Sequence, residues 1–431
     1  MIISMKKKKT WAMGGFLVAV GLLITACAGN TTDPTATNGE GGLSGEVTVW
    51  GLTMNEDGTG AWDSIVAAFE EIEPNVSIVL ETRGVDPHKD ALRQVAGTPS
   101  GPDIYQYWSG SGLGGELVRA GLSMDLTDYY EQYGWQDRFA DTTLSGITQY
   151  GGFHGVPQKQ VAQGLFYNKA LFAQAGITEP PTTYDELLAA VDKLKASGIT
   201  PIQFGGTVNW HVMRLLDNLI ETKCGADKAD ELNRADGDWS AEQCVTDAFT
   251  ELKKWGDDYL VNGFMAMNND DSSQLFFSGD AAMALEGTWF DSVTINAGMD
   301  SANVGLFQFP TGTGRLYGFG EAYYINANSD NPDAAAAFLD FFTSEQGQLL
   351  AGDAFSSLSV NKAVDSSDNS ALAPVWIDMF NTATGTFQNN DMNFSTAMTT
   401  EYWRIQNSVL LGETDPADAG AAFQNWRSAN G

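Results

Sequence analysis

A strand–helix alternation that breaks off at a polar crossing segment and then restarts is the strongest constraint in this chain. Residues 46–51 (EVTVWG) alternate and are rich in β-branched and aromatic side chains, which predicts a strand. Trp62, Ile65, Val66, Phe69 and Ile72 recur at helical spacing. Val76, Ile78 and Leu80 alternate as a second strand, residues 90–96 read as a helix ended by Gly97 and Pro99, and residues 103–107 (DIYQY) read as a third strand. Short turns join these segments, so βαβ units and a parallel sheet are expected. Ligands of such sheets bind beyond the carboxyl ends of the strands, here residues 51–57 and 107–111.

Residues 116–120 look helical and 122–133 are mixed. The break comes within residues 151–198. Gly155-Val156-Pro157 ends a first lobe, and the polar Gln158-Lys159-Gln160 is expected where the chain crosses to a second. A strand is predicted at 164–168. Thr183 and Glu186 form a capping box for a helix whose C′ residue is Gly198, and residues 200–205 are again a strand. That restart predicts a second α/β lobe, and 431 residues exceed one ordinary core. Helices at 210–222 and 241–259 follow, then a further unit from 270 and a short buried strand at 281–285 that leads into Glu286-Gly287-Thr288-Trp289. Residues 304–309 and 317–326 are strand-like. A helix begins at Pro332, and the tail carries helices at about 399–411 and 415–426.

The formal net charge of −32 opposes nucleic-acid binding, because no basic stripe could neutralise phosphates. It reads as a solvated acidic surface; a site for cationic ligands is the sharper alternative. Residues 1–27 read as targeting sequence: four lysines at 6–9, an apolar run at 11–23, then Ile24-Thr25-Ala26-Cys27. That ending resembles a bacterial lipobox, which implies lipidation of Cys27 and a tether on the outer face of the cytoplasmic membrane; an uncleaved anchor with a buried Cys27 is the alternative. Residues 28–44 are a flexible tether by composition. Cys224 and Cys244 then lie in an oxidising compartment, where a disulfide is expected rather than a metal site. Such a loop closure stabilises by roughly 3 kcal/mol. His88, His154 and His211 are scattered and no CxxC occurs, so neither metal nor cofactor is expected.

No GxSxG, HExxH or GxxxxGK[ST] motif is present, and no enzyme is expected. Aromatic residues instead stand beside polar ones at predicted strand ends: Trp50, Tyr107-Trp108, Asn209-Trp210 and Thr288-Trp289. Core packing explains any one of them, but together they suit a sugar, whose flat face stacks on a ring while polar groups hold its hydroxyls. Glu321, set among glycines, is either a hydroxyl acceptor, a cation partner or a solvated turn acid.

Taken in order, EVTVWG, FEEIEPNVSIVLE, GPDIYQYW, GVPQKQVAQGLFYNKALFAQAGI, FFSGDAAMALEGTWF, VGLFQFP, GFGEAYYINANSDNPDAAAAFLDFF and LLGETDPADA resemble the extracellular solute-binding proteins of ABC importers, in the sugar-binding family related to maltose-binding protein. The resemblance implies an α/β two-lobe periplasmic-binding-protein-like fold of type II, with discontinuous lobes joined by crossing hinge strands. Lobe 1 would be 43–160 plus 322–362 and lobe 2 161–321 plus 363–431. It implies a receptor that binds a sugar, an oligosaccharide foremost, and delivers it to permease subunits; the sequence gives no sign of oligomerisation, and a monomer is expected by default. The site residues it implies are Trp289 with Gly287, Asn55 and Glu56, Tyr107, Trp108 and Ser109, and the Asn209-Trp210 turn. The chain departs from the family at Gln158, Lys159 and Gln160 and at Glu321 after Gly320, and Gln158 and Lys159 are expected on the cleft floor. Glu56 and Glu321 motivate an alternative solute, a polyamine or amino acid; a surface carbohydrate-active enzyme is a third reading.

Overall fold

The computed structural model describes residues 42–430 except 235, 241, 356 and 357. The targeting segment, Cys27 and the tether up to residue 41 lie outside the described residues. Nine strands are present among the described residues: β1 Gly45–Leu52, β2 Val76–Arg83, β3 Ile104–Trp108, β4 Gly155–Asn168, β5 Thr200–Gln203, β6 Ala281–Gly287, β7 Val304–Phe307, β8 Leu316–Ile325 and β9 Thr386–Phe387. They run in the order β2-β1-β3-β8-β4-β6-β5, with β7 on β4 and β9 on β8.

The pairs β1–β2, β1–β3 and β5–β6 are parallel, as the βαβ rhythm predicts. The sheet as a whole is mixed, because β8 lies antiparallel to both β3 and β4, and β4 antiparallel to β6. Returning from far along the chain, β8 needs no helical crossover to reach its neighbours.

The crossing segment and the strand predicted at 164–168 are one continuous strand of 14 residues, β4. Its first half pairs with β8, from Gly155 opposite Tyr324 to Ala162 opposite Gly318. Its second half pairs with β6 and β7, from Gln163 opposite Gly287 onward. Partners are handed over without a gap between Ala162 and Gln163, and Lys159 and Gln160 of the polar stretch sit in the ladder opposite Glu321 and Gly320, so no loop is required there. Buried apolar side chains fall into separate clusters. Val156 and Ala322–Ile325 join one that includes Val47, Ile104, Trp135 and Phe338. Farther along the same two strands, Leu165 joins a second cluster around Val212, Trp255 and Phe423, while Ala162, Phe166 and Leu316 join a third around Trp376.

Local chemistry accounts for the helix ends. The capping box is formed: Thr183 Oγ1 accepts from Glu186 N, and the Glu186 carboxylate accepts from Thr183 N. At the other end Ile199 N donates to Leu194 O and Gly198, at φ +74°, donates to Lys195 O, a Schellman closure. The helix expected from residue 90 already starts at Val85, and Pro87 is accommodated in its first turn, where its missing N–H costs nothing. A disulfide joins Cys224 to Cys244, across a sequence separation of 20 residues. It ties the helix Asn209–Cys224 to the helix Gln243–Asp258.

Candidate functional site

A cavity of about 340 Å³ opens where β1, β3 and β6 end, with β4 and β8 passing beneath it. On β3 the pleat sends Gln106 and Trp108 to the cavity and Tyr107 into the core behind it. Gln106 is fully engaged: Oε1 accepts from Leu52 N at 3.2 Å and Nε2 donates to Glu321 Oε2 at 2.9 Å. That same carboxylate oxygen lies 3.0 Å from Lys159 Nζ, its direct neighbour across the β4–β8 ladder. The register of β4 shifts between Pro157 and Lys159. Such a bulge interrupts the alternation of side chains, and the adjacent Gln158 and Lys159 both line the cavity. Gln158 Nε2 donates to the Tyr323 hydroxyl at 3.1 Å. Above them the Lys89 ammonium sits 4.7 Å from the centre of the Trp108 ring. Burial holds the Lys89 amine below its ordinary pKa.

The opposite wall is built around Arg214. Its guanidinium lies 4.4 Å from the Trp210 ring centre and 4.9 Å from that of Trp289. Arg214 Nη1 donates to Glu286 Oε2 at 2.7 Å and to Leu285 O at 3.1 Å. The His211 Nδ1 accepts from Gly205 N, which leaves the proton on Nε2, 3.9 Å from the other Glu286 oxygen. Complete burial keeps that imidazole neutral, far below its ordinary pKa. Gly287 is needed for the position of Trp289: a Cβ there would stand 2.1 Å from the indole. The ring therefore folds back over the strand end and meets Phe319 at 5.9 Å.

A third edge comes from residues 389–392. Asp217, on the same helix as Arg214, accepts from Asn390 N and Nδ2 and from the Tyr402 and Tyr317 hydroxyls. Burial pushes its carboxyl up to about 7. Anchored this way, the segment presents Asn389, Asp391 and Met392 to the cavity. Burial raises the Asp391 carboxyl as well, opposed first by the charge of Lys89.

Charges in and behind the cavity balance. The cations Lys89, Lys159 and Arg214 face the carboxylates Asp391, Glu321 and Glu286 respectively. The buried polar atoms left over include both amide atoms of Gln163, Gln158 Oε1 and Asp391 Oδ1, which have no hydrogen-bond partner among the described residues.

Residues 55–349 match the family model of the bacterial extracellular solute-binding proteins. The chain belongs to that family. An uncharacterized ABC transporter extracellular-binding protein of Pyrococcus horikoshii is 23% identical over 341 residues, 77% of this chain and 75% of that protein. The multiple sugar-binding protein of Streptococcus mutans is 25% identical over 291 residues, 64% of this chain and 67% of that one. Among solved structures, a chitin oligosaccharide binding protein superposes with a TM-score of 0.81 at 22% identity, covering 90% of this chain and 98% of that one. The fold is the periplasmic-binding-protein fold. This solute-binding protein of an ABC transporter is a receptor, not an enzyme. No helix among its described residues is long and apolar enough to cross a membrane.

Of the residues singled out in the sequence, Asn55, Trp108, Gln158, Lys159, Trp210, Trp289 and Glu321 line the cavity of this solute-binding protein. Asn55 is also an N-cap, its Oδ1 accepting from Gly58 N, so its amide nitrogen is what it offers the cavity. The other seven do not line it. Trp50 is covered by the Arg83 guanidinium at 4.1 Å. Glu56 points to solvent from the first helical turn, where it complements the helix dipole. Tyr107 is packed in the core. Ser109 is fully buried, its N and Oγ both donating to Gly320 O. Asn209 is bound through Oδ1 and O to Asn407 and Gln406. Gly287 and Gly320 are clearances rather than contacts: a Cβ on Gly320 would come 2.5 Å from Ser109 Oγ. Sequence reasoning missed Lys89, Gln106, Gln163, Arg214, Phe319, Asn389 and Asp391. Strand alternation from Trp108 points to Gln106, and the helical step from Trp210 points to Arg214.

Proposed function

We propose that this chain is the lipid-anchored receptor of an ABC importer, and that it captures an uncharged sugar, an oligosaccharide foremost, between two lobes that close on it. The lobes are 43–160 plus 322–362 and 161–321 plus 363–431. The partition of buried apolar side chains along β4 and β8 supports this division, since each strand contributes to clusters at both of its ends. A ligand touching both lobes favours the closed state by its differential affinity. One observation carries the choice of solute: Trp108, Trp210 and Trp289 line a cavity whose cations are each matched by a carboxylate. Such a site gains from aromatic stacking and hydroxyl hydrogen bonds but offers a charged ligand no unbalanced counter-ion. A polyamine is thereby disfavoured. The names of the multiple sugar-binding and chitin oligosaccharide binding relatives agree with a sugar.

A thermal-shift screen against mono- and oligosaccharides, amino acids and polyamines tests the reading. At a hundredfold excess over Kd, a ligand of the folded state alone stabilises by about 2.7 kcal/mol. A shift with putrescine or an amino acid and none with any sugar would reverse the assignment. The anchor rests on the lipobox at Cys27 and is tested separately: the full-length chain should partition into detergent, and Cys27→Ala should not.

A further inference from the structure

Gln163 stands out among the buried amides of the cavity. It is 2% exposed, it lines the cavity, and neither its Nε2 nor its Oε1 has a hydrogen-bond partner among the described residues. Gln106, in the same cavity, has both amide atoms committed to Leu52 N and Glu321. A buried amide held without partners is costly, so a group that enters and satisfies it is bound strongly in return.

The ladder shows what lies beside this amide. Gln163 is directly opposite Gly287 in the antiparallel β4–β6 pair. Directly opposed residues project to the same face of a sheet. Gly287 has no side chain, and the Trp289 ring occupies the place where one would be. The unpartnered amide and the indole therefore share one face at one register. A primary amide presents a donor and an acceptor side by side. Two hydroxyls on neighbouring ring carbons match both, and the same ring offers a C–H face to an indole.

We infer that Gln163 and Trp289 form one subsite, in which Trp289 takes the face of a sugar ring and the Gln163 amide reads two vicinal hydroxyls at its edge. The inference rests on the proposed sugar-receptor reading and adds to it a specificity-determining residue and a stereochemical requirement.

Isothermal titration calorimetry with maltose, xylobiose, raffinose and N,N′-diacetylchitobiose, followed by the monodeoxy analogues of whichever binds, tests it. In the unaltered chain, removing either hydroxyl of one vicinal pair should weaken binding on the order of 10- to 100-fold, as for other sites built to hydrogen-bond a hydroxyl. Gln163→Met, close in shape but without the amide, should weaken the parent sugar by a similar factor and bind parent and deoxy analogues within about 3-fold of one another. Gln163→Glu keeps an acceptor, loses the donor, and should retain discrimination at only one of the two positions; it carries the test if Gln163→Met does not fold. Gln203 is another buried amide with both atoms unpartnered, but it lies outside the cavity, so Gln203→Met should leave binding unchanged. Full discrimination between parent and deoxy sugars in both Gln163 variants would overturn the subsite while leaving the sugar receptor standing. Failure of every sugar to bind the unaltered chain would overturn both.

Discussion

The two walls of the cleft place a cation against tryptophan in different ways. On one wall the Lys89 ammonium lies over Trp108 alone, and its charge is balanced at longer range by Asp391 and Asp86. On the other, Arg214 lies against both Trp210 and Trp289, donates to a fully buried Glu286, and is further held by a backbone carbonyl. A guanidinium is planar and forked, so one side chain can serve two rings and a carboxylate together, whereas an ammonium is a point charge on a flexible stem. The Arg214 wall is therefore a preformed platform. The Lys89 wall holds its cation by one ring and by longer-range charge.

The asymmetry predicts its own largest effect. Arg214→Ala strips Glu286, whose side chain has no solvent exposure, of its partner, and should cost about 3–5 kcal/mol of stability by chemical denaturation. Replacing the pair together, as Arg214→Met with Glu286→Gln, should recover most of that loss. If Arg214→Ala alone unfolds at the same denaturant concentration as the parent, the platform is not held by this pair.

Asp217 gives the next effect, because it secures the 389–392 edge to the helix that carries Arg214. Its carboxyl titrates near 7 when folded, against an ordinary 3.8. Between those values the folded chain holds more protons than the unfolded one, so this group's contribution to stability is full below about pH 4 and lost as pH rises through 7. Asp217→Asn should flatten the stability profile between pH 4 and 7 by an amount on the order of 2–4 kcal/mol. An unchanged slope in that variant would mean Asp217 is already charged at low pH.

The parts of this arrangement that were legible in the sequence depend on local pattern. Trp108 and Trp289 follow strands whose alternation or apolar run is plain, and the Thr183–Glu186 box and Gly198 marked both ends of one helix. Arg214 was hidden because an arginine one turn beyond Trp210 reads as a solvent-facing residue; its burial depends on Glu286, 72 positions away. Residues 389–392 carry no periodicity, and their position is set by Asp217, 173 positions earlier. Gly287 and Gly320 were read as contacts when their function is to leave room, a distinction that only the packed neighbours reveal. The same holds for β4, whose polar crossing stretch and following strand read as separate segments until β8, from far along the chain, supplied ladder partners to the first half.

Ligand binding should separate the walls more finely than stability does. Trp289→Ala removes a ring of the rigid platform and should weaken sugar binding by about 1–3 kcal/mol, with Trp108→Ala at the lower end of that range. Equal losses would make the walls equivalent and remove the basis for the comparison.

Lys89→Met should have the smallest effect and is the most pointed test. Lys89 is 8% exposed and its amine is depressed by burial, so the folded state already bears the cost of desolvating it. The ion it leaves behind, Asp391, has its carboxyl raised by burial and can take up a proton more readily once Lys89 is gone. An apolar chain of similar length over Trp108 keeps the packing and removes the desolvation cost. Net stability should therefore change by less than about 1 kcal/mol, in either direction. The pH profile of binding should move more than the stability, since Asp391 lines the cavity and its carboxyl, already raised by burial, loses the Lys89 charge that opposes the rise. If Lys89→Met is instead as destabilising as Arg214→Ala, the ammonium is as firmly held as the guanidinium, and the two walls are alike in kind.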